Sequence, residues 1–209
     1  MKKQRLVATT FVLLTCISSG SAYVSAAKYQ DMPAGVYQLD KTHASLTWKV
    51  SHLGLSNYTA RFTRFDAEVD FKPQAPENSK VTVTIDPTSI KTDYPYPEEK
   101  DFDKKLVEKA EWFNAAKFPE IKFTSSRIEM TGENTAVMTG NLTFLGVTKP
   151  VSFNVTFNGA MEQQPFSQKP TLGFSATGSL KRSEWGMATY VPNIGDEVML
   201  LIEVEFAKD

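Results

Sequence analysis

Residues 140–157, GNLTFLGVTKPVSFNVTF, constrain this chain more than any other stretch. Leu142 and Phe144 fall on one side of a two-residue period, with Asn141 and Thr143 on the other. After a break at 146–150, Val151, Phe153, Val155 and Phe157 alternate strictly with Ser152, Asn154, Thr156 and Asn158. A period of two buries one face and wets the other, which suits an antiparallel strand and not a helix of period 3.6. The stretch therefore predicts a hairpin. Pro150 suits the first position of its second strand, because it has no amide hydrogen to give a ladder.

The same rhythm recurs along the chain. After a short extended segment at 36–40, Leu46, Trp48, Val50 and His52 share a face, and 54–57 reads as a turn. Phe65, Ala67, Val69 and Phe71 form the next inward set, followed by Val81, Val83 and Ile85. Ile121 and Phe123 begin a further strand, Leu172, Phe174 and Ala176 another, and Val198, Leu200, Ile202, Val204 and Phe206 the last. One region, 87–119, breaks the pattern. Tyr94-Pro-Tyr-Pro97 excludes regular structure, since each proline removes a donor and restricts its neighbour. Beyond it, Phe102, Leu106, Ala110 and Phe113 recur at three- and four-residue spacing and predict a helix over 98–113, acidic near its start and lysine-rich later.

About eight strands, one helix and no β-α-β alternation predict a single all-β domain, either a barrel or a sandwich. An eight-stranded barrel is wide enough to be filled by side chains or to hold one small ligand. Periodicity does not choose between these, and on composition alone the inward aromatics read as core rather than as a ligand wall.

Composition excludes several functions. A formal net charge of −1 offers no basic footprint for nucleic acid. At the N-terminus, Lys2, Lys3 and Arg5 precede a short apolar run and a small-residue segment ending Val24-Ser25-Ala26. This pattern predicts a cleaved signal peptide at 1–26, with 27–209 as the domain and no transmembrane segment after cleavage. Removing three basic and no acidic residues from 23 and 24 shifts the net charge to −4. Cys16, the only cysteine, lies in the segment removed, and Thr15 is a poor residue to precede a lipidated cysteine. The exported chain is then expected to have no disulfide, no thiol nucleophile and no cysteine metal site. Neither Gly-x-Ser-x-Gly nor His-Glu-x-x-His is present, and no enzymatic activity and no cofactor are expected. His43 and His52 are nine apart, an odd separation that sets them on opposite faces of a regular strand and disfavours a two-histidine metal site.

Leu142-Thr-Phe-Leu-Gly-Val-Thr-Lys-Pro-Val151 resembles the signature of the YceI-like family, exported bacterial proteins of lipocalin-like fold. Further matching segments follow the family's order. They include Tyr37-Gln-Leu-Asp-Lys-Thr-His-Ala44, Val50-Ser-His-Leu-Gly54, Trp112-Phe-Asn-Ala-Ala-Lys-Phe-Pro-Glu-Ile-Lys-Phe123 and Arg182-Ser-Glu-Trp-Gly-Met187, and the resemblance spans 36–206. It implies an extended antiparallel β-barrel, capped at one end, whose lumen takes a long-chain isoprenoid, quinone-like or fatty-acyl amphiphile in the periplasm. Transport, storage or sequestration is the implied role, with a link to stress responses; homodimer formation is left open. Leu46, Trp48, Val50, Phe65, Val69, Phe71, Val83, Ile85, Phe123, Phe153, Val155, Phe157, Phe174, Leu200, Ile202 and Val204 then become a ligand wall, joined by Trp112 and Phe113. His52 and Arg182 are the polar candidates, each read either as a headgroup contact or as a structural residue. Two alternatives stand beside a carrier: an enzyme or accessory factor acting on a lipid or quinone precursor, and an interaction domain with a filled core. The chain departs from the family at Phe102-Asp-Lys-Lys-Leu106, which lacks the usual histidine, at Ala60 and at Leu145.

Overall fold

The computed structural model describes residues 27–208, so the signal segment expected at 1–26 lies outside the described residues. In chain order the strands are β1 (Gly35–His52), β2 (Ser56–Phe62), β3 (Phe65–Phe71), β4 (Lys80–Ile85) and β5 (Ile90–Lys91), followed by the helix α1 (Phe102–Glu108). Then come β6 (Ile121–Met130), β7 (Thr135–Phe144), β8 (Val147–Met161), β9 (Thr171–Lys181) and β10 (Ile194–Lys208). Every pairing is antiparallel. The order β10-β9-β8-β7-β6-β4-β3-β1 closes on itself through β10 and β1, giving an eight-stranded barrel. Closure leaves no free edge in that ring, the route by which all-β chains avoid edge-to-edge association.

β1 holds the barrel together. One side pairs with β10 over most of its length; the other pairs with β3 at 35–38 and with β2 at 46–52. The predicted break between 36–40 and 44–52 is instead an arch within one strand. Between Leu39, opposite Phe206, and Ala44, opposite Val204, β1 advances five residues while β10 advances two. The extra residues bulge outward and flip the inward parity, so Tyr37 and Leu39 point in before the arch and Leu46 and Val50 after it. Asp40 stabilises the arch by accepting hydrogen bonds from the Thr42 amide at 2.9 Å and hydroxyl at 2.6 Å.

Three further expectations are corrected. β2 was hidden in a stretch read partly as turn, because only Tyr58, Ala60 and Phe62 mark its inward face. The hairpin turn is Leu145-Gly146 rather than 146–150: both residues have positive φ, 48° and 76°, as a two-residue turn between twisted strands requires. Pro150 therefore lies inside β8 opposite Asn141, ahead of the point where β8 begins to pair with β9, so its missing N–H costs no bond there. The helix is shorter than 98–113. Asp101 caps it by accepting from the Lys104 amide at 2.9 Å, and it stops at Glu108, where Lys109 is extended. The chain then folds back, with the Phe113 amide donating to Leu106 O at 3.0 Å. Burying Phe113 against Phe62 and Phe144 outweighs prolonging the helix.

Two apolar clusters fill opposite ends. One, around Leu106, Phe113, Phe144 and Trp185, lies at the end closed by α1 and the following turns. The other, around Tyr37, Phe71, Leu172 and Phe206, lies at the distal end. There Tyr37 is fully buried, donates to Pro33 O at 2.8 Å, and has its phenol pKa pushed up to about 12 by burial.

Candidate functional site

Between the clusters the barrel is hollow. Inward-facing Leu200, Ile202 and Val204 on β10, and Val155 and Phe157 on β8, are only half-buried, although each lies on the inward face of a closed sheet. A packed interior leaves few voids larger than a water molecule, so side chains of this kind exposed on the inside mark a cavity. Two chambers account for it.

The distal chamber is about 200 Å³ and is lined by Phe65, Val69, Phe71, Val83, Phe123, Phe153, Val155, Phe157, Phe174, Ile202 and Val204 among others. No charged side chain lines it; its few polar side chains include Ser79, Asn134 and Thr135. The proximal chamber, about 130 Å³, is lined by Trp48, Val50, Trp112, Phe113 and Arg182, with Leu106 and Met187. Leu46, Ile85, Leu142 and Leu200 line both, so the chambers abut at a waist formed by these four residues. Together they reach the lower end of the range of small-molecule pockets, roughly 300–1,000 Å³.

Glycine keeps the distal chamber open. A Cβ at Gly178 would lie 2.6 Å from Phe153 Cδ1 and 2.9 Å from Ser152 O, so the Phe153 ring lies flat over a position where any other residue would push it inward. Phe123 rests in the same way over Gly140, and the two rings meet edge to face at 5.4 Å. Such a pair contributes about 0.5–1.5 kcal/mol beyond its buried area.

The polar candidates fare differently from the apolar ones. His52 is exposed at the end of β1 and lines neither chamber. A register shift between Val50 and His52 carries the strand end off the luminal face, and Leu53 then enters the turn at a φ of 56°. The headgroup reading of His52 is therefore corrected. Arg182 is only 3% exposed, and its fork is engaged by backbone. Nε donates to Gly195 O, Nη1 to Met187 O, and Nη2 to both Thr189 O and Ile194 O, each at 2.9 Å. Burial pulls its pKa down while the Asp196 charge opposes the shift. Four of its five N–H donors are thus committed to bracing the segment at 186–195, which corrects the reading of Arg182 as a headgroup clamp. Trp185 follows it in a short 3-10 turn and donates from Nε1 to Leu142 O at 3.3 Å.

Of the expected lumen residues, every one except His52 lines one of the two chambers. The sequence reading missed Tyr29, Met130 and Met138 in the distal wall and Leu106 and Met187 in the proximal one. Met138 was legible, because it keeps the parity of Leu142 and Phe144. Tyr29 carried no signal, since it precedes β1 in a 3-10 turn and reaches the chamber through its edge-to-face contact with Phe157 at 5.6 Å.

Outside the lumen, a cleft of about 570 Å³ opens where β2 and β3 diverge from β1. Its rim carries paired charges, Lys41 with Asp66 at 2.6 Å and Arg64 with Asp86 at 2.8 Å. At the arch, Asp40, His43 and Glu205 bring ligand atoms within 4.8 Å of one another on the outer wall. Hydrogen bonds from Thr42 and then His43 lower the Asp40 pKa to about 2, and the Asp40 bond followed by the Glu205 charge raises that of His43. This is a surface ion-pair cluster remote from the lumen.

A closed, elongated antiparallel barrel around an apolar lumen, capped by a helix at one end, defines the lipocalin-like class. Within that class the chain belongs to the YceI-like family, whose domain model matches residues 37–206. It is 34% identical over 205 residues to Protein YceI of Salmonella agona, covering 97% of each chain. It is similar in structure to the YceI protein of Campylobacter jejuni, with 30% identity, 76% of this chain and 90% of that chain covered, and a TM-score of 0.65. A polyisoprenoid-binding domain from Saccharophagus degradans shares the fold at 13% identity and a TM-score of 0.61, covering 83% of this chain and 98% of that chain. Among the described residues, no helix is long and apolar enough to cross a membrane.

Proposed function

We propose that the protein is an exported carrier that holds the hydrocarbon chain of an isoprenoid, quinone-like or fatty-acyl amphiphile in the barrel lumen. One observation carries the reading: two abutting apolar chambers whose inward side chains remain half-exposed, with Arg182 the sole charged residue among their lining. An apolar tail suits such a wall. Burying sixteen carbons at ~0.8 kcal/mol per CH₂ gains about 13 kcal/mol gross, before association and ordering costs. The fold shared with a polyisoprenoid-binding domain supports the same reading. The N-terminal pattern at 1–26 supports export by a cleaved signal peptide and function in the periplasm.

An enzyme is less well supported. The polar candidates for one are an exposed His52 and an Arg182 engaged by four carbonyls. Transport, storage and sequestration all need only that the lumen bind the chain.

The test is to purify the exported protein without detergent, extract it with organic solvent and identify bound species by mass spectrometry. A prenyl or acyl lipid in near-stoichiometric amount is expected. An empty extract, together with no uptake of geranylgeraniol or palmitate on titration, would overturn the proposal.

A further inference from the structure

The chain has three tryptophans, and their indole N–H groups are treated unequally. Trp185 donates to Leu142 O at 3.3 Å. Trp48 and Trp112 have Nε1 atoms shut off from solvent that find no acceptor among the described residues. A buried donor without a partner is costly, and most native structures avoid one. Two in one chamber call for an explanation, and both residues line the proximal chamber.

The rest of that chamber sharpens the chemistry. An indole offers a donor and no acceptor, and so does a guanidinium. Arg182 lies beside Trp112, its Cζ 5.9 Å from the ring centroid, and its fork is already held by backbone carbonyls. The polar side chains lining this chamber therefore present N–H groups only. Beyond the waist of Leu46, Ile85, Leu142 and Leu200, the distal chamber is walled mainly by apolar side chains and holds no charged one. A charged phosphate or carboxylate placed at the two indoles would lose its hydration for two neutral hydrogen bonds and the field of Arg182, whose donors are committed to carbonyls and whose charge is already opposed by Asp196. That is too little compensation. An uncharged carbonyl oxygen fits better, since it needs one or two donors and loses little hydration.

We infer that the lipid lies with a neutral carbonyl group, of a quinone, ketone, ester or amide, at Trp48 and Trp112 in the proximal chamber, and with its tail threaded through the waist into the distal chamber. This rests on the carrier reading and adds a polarity and a ligand class to it. The opposite polarity, with the headgroup in the distal chamber, leaves both indoles without acceptors.

The experiment uses two probes of equal chain length, hexadecan-2-one and hexadecane, on ¹⁵N-labelled exported protein. Its three indole signals are assigned with Trp48→Phe and Trp112→Phe. Both probes are expected to bind. Only the ketone moves the Trp48 and Trp112 indole protons downfield, while Trp185, already bonded, stays in place. Each Phe variant weakens ketone binding about fivefold to tenfold, the effect of one hydrogen bond to a buried donor. Hexadecane on the same variants controls for altered packing. Indoles that respond alike to both probes, or variants that keep the ketone-to-alkane affinity ratio, overturn the inference and leave the carrier reading standing. Failure of both probes to bind overturns the two together.

Discussion

Replacing Arg182 separates a structural brace from a ligand contact. In the folded protein its guanidinium donates to four backbone carbonyls, of Met187, Thr189, Ile194 and Gly195, each at 2.9 Å. The first two lie in the loop after the 3-10 turn that follows β9, and the last two are the opening residues of β10, the strand that closes the barrel on β1. In Arg182→Ala all four bonds are lost. If half of the carbonyls regain water, two remain unsatisfied at about 1–3 kcal/mol each. The expected loss is therefore about 2–6 kcal/mol. Against a total stability of roughly 5–15 kcal/mol this is severe. Arg182→Lys should recover less than half, because a compact ammonium cannot span carbonyls that a planar fork reaches. Urea unfolding of the exported protein, followed by far-UV circular dichroism, measures both. A loss below about 1 kcal/mol with an unchanged m-value would refute the bracing argument, especially if lipid uptake fell at the same time.

Two further outcomes follow from the geometry. Gly178→Ala should cost about 1–3 kcal/mol by overpacking and reduce lipid capacity, because the new methyl drives the Phe153 ring into the lumen. Gly173→Ala, whose nearest contact would be 3.6 Å away, is the tolerated control; equal urea midpoints and equal lipid uptake for the two variants would contradict this account of the wall. At the arch, the Asp40 contribution to stability is present above the ordinary carboxylate pKa and lost as pH falls through about 2. His43, with its folded pKa raised, contributes below its ordinary value near 6.5 and loses that contribution as pH rises through the elevated one. Asp40→Asn should return the His43 titration, read by NMR, toward its ordinary position; a His43 pKa unmoved by that change would remove the pairing.

Alternation in one dimension was enough to determine a great deal about this protein. Which residues of β3, β8 and β10 face inward follows from a period of two, because successive side chains must leave a strand on opposite sides. The all-β class and an apolar interior followed from the same pattern, and the helix from three- and four-residue spacing. The family signature around Leu145-Gly146 extended it to a capped barrel.

Tertiary structure decided everything that depends on where strands lie relative to one another. The arch at 40–43 and the pairing of β1 with three partners flip the inward parity, and no local pattern in a polar Asp-Lys-Thr-His run announces that. His52 continued an inward series on paper, yet the register shift after Val50 carries it to the surface. Arg182 had the chemistry of an anion clamp, and its role was settled by four carbonyls up to thirteen residues away. The contrast between a packed core and an open lumen is of the same kind. The aromatic and aliphatic residues are identical in either case. Whether they meet at the centre depends on strand number, register and the glycines beneath Phe123 and Phe153, which are properties of the closed sheet and not of any one strand.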